Sequence, residues 1–137
     1  MAIAFDQDHF ENIDLTTPEA RAGMAKMIMR LFQHWGIPTA DQLNLLGLSD
    51  KSRALLTKYK KGNAFTANRD VLDRVGWLFA IHKALRLLYP RNKELLYGWV
   101  KLRNTAFDNL TPLDVMKEQG IIGIYRVARY LDFVRGR

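Results

Sequence analysis

Thr39-Ala-Asp-Gln-Leu-Asn-Leu-Leu-Gly-Leu-Ser-Asp-Lys-Ser-Arg-Ala-Leu-Leu-Thr-Lys-Tyr-Lys-Lys-Gly62 is the stretch whose reading decides the fold. Thr39 with Gln42 three residues on fits a capping box, which opens a helix. Leu43 and Leu46 recur at helical spacing, so this helix is expected to reach Leu46. Gly47-Leu48-Ser49 reads as a tight turn. Ser49 then caps a second helix, Asp50 to Lys61, which Gly62-Asn63 stops. Ser52, Leu55, Leu56 and Tyr59 fall within about 100° of arc and form its inward face. A short helix, a glycine-bearing turn of three residues and a second helix make up a helix-turn-helix unit.

The outward face of the second helix carries Asp50, Ala54, Thr57, Lys58 and Lys61, with Lys51 and Arg53 at its edges. In this motif the start of the second helix enters the major groove of double-stranded DNA. Lys51, Arg53 and Thr57 are therefore expected at base edges, with Ser49 beside them at the helix start. Lys58, Lys60 and Lys61 are expected near phosphate, where they add affinity but no sequence information. Asp50 suits the positive end of the helix dipole. An ordinary helical hairpin with a solvated face is the competing reading. RNA stays open as a partner, although no aromatic-rich stacking platform is evident.

Working outward, Thr17-Pro18 gives a cap followed by proline at the first helical position. Met24, Met27, Ile28, Leu31, Phe32 and Trp35 then mark an amphipathic helix over 18–35, which Gly36-Ile37-Pro38 ends. Asn68 caps the longest helix, 69–89. It is apolar on two sides, through Val71, Val75, Leu78, His82 and Leu85, and through Trp77, Ile81 and Leu88. Such a helix is wedged between neighbours and joins two halves. A further helix with Trp99 is expected over 92–102. No run alternates like a strand, and the fold class is all-α.

At the C-terminal end, Thr111-Pro112-Leu113-Asp114 opens one helix and Gly120 stops it. A last helix packs through Ile121, Ile124, Ala128 and Leu131, with Val127 and Val134 beside them. Arg126 and Arg129 lie on another face. The expected division is an acidic arm, 1–17, a helix-turn-helix region, 18–68, and a connecting helix with a C-terminal domain, 69–137.

The 137 residues carry a net charge of +7 and no cysteine. Residues 1–18 hold four acids and no base, 39–62 hold five bases and two acids, and 63–103 hold eight bases and three acids. A basic middle suits a polyanion. Absence of cysteine removes disulfides and thiolate chemistry. No apolar run approaches the ~18 residues of a membrane span. A cytoplasmic protein with no membrane partner is expected.

With these residues quoted, the chain resembles the antitoxins of the Xre/MbcA/ParS family over roughly 28–137. The marks are Leu45-Leu46-Gly47-Leu48-Ser49, Tyr59-x-x-Gly62, Asp70-x-Leu72-x-Arg74-Val75, Leu88-Tyr89-Pro90, Trp99, Arg103-Asn104, Phe107, Thr111-Pro112-Leu113-Asp114, Gly120 and Tyr130-Leu131-Asp132. The resemblance implies an Xre-like helix-turn-helix, a C-terminal toxin-binding domain, and a RES-domain toxin that consumes NAD. It implies that the antitoxin covers the toxin's active-site entrance, forms a dimer or a higher oligomer with toxin, and represses its own operon. Toxin-facing positions would be Asn104, Phe107, Arg126, Arg129, Tyr130, Arg135 and Arg137. In the loop Phe107-Asp108-Asn109-Leu110 the family more often has glycine.

Catalysis finds little support. His9, His34 and His82 lack metal-ligand spacing, and His82 on its apolar stripe reads as a core histidine. Asp70 and Asp73 share a face with Arg69 and Arg74, which favours ion pairing over acid–base work. No glycine-rich phosphate loop is present. No enzyme activity, metal or cofactor is expected. Two alternatives to an antitoxin stay open. One is a helix-turn-helix regulator with a C-terminal dimerisation domain and no toxin. The other is a protein-interaction module whose helix-turn-helix is vestigial.

Overall fold

Thr17 starts the first helix, α1 (Pro18–Trp35), by accepting a hydrogen bond from Ala20 N, and left-handed Gly36 ends it. The computed structural model describes residues 17–136, so the expected arm over 1–16, with His9, and Arg137 lie outside the described residues. Helix α2 (Thr39–Leu46) follows, then a 3₁₀ turn (Asp50–Ser52), α3 (Arg53–Lys60), α4 (Arg69–Leu88), α5 (Lys93–Gly98), two further 3₁₀ turns (Trp99–Lys101 and Thr105–Phe107), and α6 (Pro112–Arg135). The described residues contain no strand beyond one isolated bridge, Asn104 to Leu110. The fold is all-α.

Three local readings need correction. Pro38, not Thr39, occupies the cap position of α2, and no side chain caps that end. Gln42 instead donates from Nε2 to the Ile37 carbonyl (3.0 Å), so it ties the loop rather than closing a capping box. The helix expected over Asp50–Lys61 begins as a 3₁₀ turn, with Ser49 Oγ accepting from Lys51 N, and becomes α-helical only at Arg53. The helix expected over 92–102 is α-helical to Gly98 and tightens to 3₁₀ from Trp99.

The core is continuous. Ile28, Phe32 and Trp35 of α1, Leu43 and Leu46 of α2, and Leu56 and Tyr59 of α3 are buried, as are Val75, Leu78 and Ile81 of α4 and Ile124, Val127 and Leu131 of α6. Helix α4 packs most extensively on α6, and α2 also touches α6 directly. The expected strut is therefore present, and the two halves meet elsewhere too. Lys117 of α6 pairs with Asp41 of α2 (3.4 Å). Lys101 donates to the Gly36 carbonyl at the end of α1 (2.7 Å). His34 of α1 stacks on Tyr97 of α5 at 4.4 Å between ring centroids, and Tyr97 stacks on His82 of α4 at 5.9 Å.

Two glycines set the geometry. At Gly47, φ is +71°, and a Cβ would lie 2.8 Å from Arg74 Nε. Arg74 fills that space by pairing with Asp70 (3.0 Å) and donating to the Asn44 carbonyl (3.4 Å), which locks α4 under the turn. Asp73 pairs with Arg69 in the same way (3.8 Å). Gly120 breaks α6 with φ 64° and ψ −142°. The piece before it opens on a full capping box between Thr111 and Asp114.

Candidate functional site

The DNA-reading candidates lie in the turn before α3 and along α3. Ser49, Lys51, Arg53, Thr57, Lys58, Lys60 and Lys61 are all exposed. The sequence alternation produces this directly: Leu56 and Tyr59 turn inward, and Tyr59 meets Phe65 edge-on at 4.6 Å. Burial pushes the Tyr59 hydroxyl pKa above its ordinary value, so it stays neutral beneath the cationic face. None of the described ion pairs involves a cation of this surface. Lys51 lies in the 3₁₀ start and Arg53 opens the α-helical part.

The second set of candidates divides in two. Asn104, Phe107 and Tyr130 face inward and build a loop. Asn104 Oδ1 accepts from Ala106 N (2.9 Å), and its backbone N donates to the Leu110 carbonyl. Phe107 is buried, edge-on to Tyr130 at 5.1 Å, and Tyr130 in turn lies parallel to Trp99 at 6.3 Å. Arg103 donates to the Asn109 carbonyl (3.2 Å) and closes the loop. Asp108 and Asn109, where glycine was expected, both have positive φ (56° and 66°). Aspartate and asparagine enter this left-handed region at lower cost than other side chains, so the loop keeps a conformation that glycine would also adopt.

Arg126, Arg129 and Arg135 face outward. Arg126 holds its guanidinium 5.2 Å from the centre of the Phe107 ring. Arg135 pairs with Asp132 (3.2 Å). Sequence reading missed what stands among them. Ile122 is 71% exposed, Phe133 63% and Tyr125 44%. At about 100° per residue, Ile122, Arg126, Arg129 and Phe133 fall within one narrow arc of α6, with Tyr125 at its edge. The signal was present: once Ile124, Ala128 and Leu131 are assigned to the core, these residues are left on the opposite face. Tyr125 is steadied edge-on by Trp77 of α4 at 4.8 Å. Monomeric proteins rarely expose large apolar side chains in such a cluster without a partner.

Two family models match the chain. One describes an antitoxin Xre-like helix-turn-helix domain and covers residues 14–80. The other describes the antitoxin Xre/MbcA/ParS C-terminal toxin-binding domain and covers residues 84–137. The chain belongs to the Xre/MbcA/ParS antitoxin family. A protein of Sinorhizobium fredii (strain NBRC 101917 / NGR234), designated y4oB, is 35% identical over 107 residues, which is 78% of this chain and 80% of that protein. The two matched regions of the antitoxin meet inside α4, so a single helix passes from one to the other without a linker. The face with Arg126, Arg129, Ile122 and Phe133 falls in the toxin-binding region, and the lysine-rich face of α3 falls in the helix-turn-helix region. Among the described residues no group of three potential ligands could hold a metal ion, and no helix is long and apolar enough to cross a membrane.

Proposed function

We propose that this antitoxin neutralises a RES-type, NAD-consuming toxin and represses its own operon by binding double-stranded DNA. The observation that carries the reading is the pairing of two chemically different exposed surfaces on one rigid body. The face of α3 is cationic and almost free of large apolar groups, which suits a polyanion. The face of α6 sets apolar and aromatic side chains among arginines, the composition of a protein-binding hot spot.

In this reading Lys51, Arg53 and Thr57 meet base edges, Ser49 supports the helix start, and Lys58, Lys60 and Lys61 meet phosphate. On α6, Ile122, Tyr125 and Phe133 bury against the toxin. Arg126 and Arg129 supply charge suited to a pocket that accepts a phosphate-bearing dinucleotide, and Arg135 and Arg137 are further proposed toxin contacts. Asn104, Phe107 and Tyr130 act from beneath by fixing the loop and the ring on which Arg126 rests. Neutralisation needs no chemistry from the antitoxin; occlusion of the toxin's entrance suffices. We place the unit boundaries at 1–17, 18–68 and 69–137, counting α4 with the C-terminal unit although the helix-turn-helix match runs into it as far as residue 80. The protein acts in the cytoplasm as a homodimer, the usual two-fold solution for helix-turn-helix proteins, and as a larger oligomer with toxin.

The test is co-expression with the product of the adjacent gene. The expected result is a stable complex, with growth restored and NAD levels recovered. A neighbour that neither binds nor depletes NAD would remove the toxin half of the proposal.

A further inference from the structure

A hollow lies at the margin of the α3 surface, where α1 meets the end of α3 and Lys60 belongs to both. Its volume is about 260 Å³, and Lys26, Met29, Arg30, Gln33 and Lys60 line it. Lys26, Arg30 and Gln33 stand at i, i+4 and i+7 on α1 and are exposed, and Lys60 is the last residue of α3. Lys26 is drawn across the end of α3: a Cβ on Gly62 would lie 3.4 Å from its Cε. No lining residue is acidic, and none of the described ion pairs involves Lys26, Arg30 or Lys60. The negative end of the α3 dipole accounts for Lys60 and its neighbour Lys61. It does not account for Arg30 and Gln33, which reach the same hollow from a different helix. Three like charges around one hollow repel, and an anion placed among them reverses that cost.

We propose that this hollow is a phosphate site that grips the DNA backbone beside the groove that α3 enters. The inference rests on the DNA-reading role proposed above. The Arg30 guanidinium and the Gln33 amide donate to phosphate oxygens, while Lys26 and Lys60 add point charge. Met29 forms the apolar floor, which keeps the cationic heads raised toward the backbone. Contacts of this kind set the register of the protein on the duplex and contribute affinity that is independent of sequence.

The test uses the full chain, the duplex upstream of its own gene and an unrelated duplex of equal length. Binding is followed by fluorescence anisotropy between about 50 and 200 mM salt. Lys26→Ala with Arg30→Ala should weaken both duplexes by the same factor, about tenfold or more, and make the log–log salt slope shallower by about 1.8. An unchanged melting temperature controls for folding, and Lys26→Arg should retain binding. Unchanged affinity and slope would overturn the phosphate site, and so would a loss confined to the operator. If Lys51→Ala with Arg53→Ala abolishes operator preference while the α1 pair does nothing, the hollow alone fails. If the α1 pair matters and the α3 pair does not, the phosphate site stands and the assignment of the reading helix fails. Wild-type protein that binds neither duplex would refute both.

Discussion

The outward face of α3 and the outward face of α6 are both helix surfaces left uncovered by the same core, yet they have opposite chemistry. The first exposes lysines, an arginine and a threonine over a buried Leu56 and Tyr59. The second exposes Ile122, Tyr125 and Phe133 with arginines between them. The difference teaches how each partner must be held. A polyanion held by charge is released by salt, through counterion release. A protein held by buried apolar area is much less sensitive to salt. Because α4 runs unbroken between the two halves, the faces have a fixed relation and can be altered separately.

The largest effect should come from polar substitutions in the apolar patch. If Ile122 and Phe133 meet the toxin as proposed, Ile122→Asp with Phe133→Asp would place two charges in that contact and is expected to cost about 4 kcal/mol, roughly a thousandfold in affinity. Isothermal titration should detect this, with DNA affinity unchanged. Equal losses at both faces would break the comparison.

A pH experiment addresses what the faces share. His82 is buried on α4, away from solvent and stacked on Tyr97, and its imidazole is pushed from 6.5 down to about 4, first by burial, then by the charge of Arg86 and by His34. The folded state therefore binds fewer protons than the unfolded chain between these values. Stability should be level above about pH 6.5, fall as the pH drops toward 4, and flatten below that, with a total loss of about 3 kcal/mol from this group. Denaturant melts across this range should show the decline, and His82→Leu should flatten it.

Gly123 offers a sharper cut. A Cβ there would collide with the Val115 carbonyl oxygen. Gly123→Ala should thus force the two pieces of α6 apart at a cost of about 2 kcal/mol, measured by chemical denaturation, and weaken toxin binding before DNA binding. The smallest effect concerns neither face. Asn109→Gly, at φ 66°, should leave both activities intact and stabilise the loop by less than about 1 kcal/mol. A loss of stability would show that the asparagine side chain does more than tolerate its backbone.

Much of this was legible in the chain. Thr17, Asn68 and the Thr111–Asp114 box each start the helix that their spacing promised, because a cap is a local hydrogen bond between near neighbours. The Gly120 break was readable because glycine enters positive φ at little cost. The 3₁₀ start at Asp50 was not, since its difference from an α-helix depends on packing against α2. Gly123 was missed because its role is a tertiary approach to Val115. Phe107 and Tyr130 were recognised as important, but only the fold shows that they lie under Arg126 rather than beside it. The hollow between α1 and α3 joins residues some thirty positions apart, Lys26 and Lys60, and no local motif records that meeting.

The central claim is that two chemically distinct surfaces work independently on one rigid antitoxin. The most direct test assays one pair of variants against both partners. Lys51→Ala with Arg53→Ala should lose operator discrimination, by about 1–3 kcal/mol per side chain, while still neutralising the toxin at wild-type affinity. Ile122→Asp with Phe133→Asp should do the reverse. If either folded variant loses both activities, the two-surface account is contradicted.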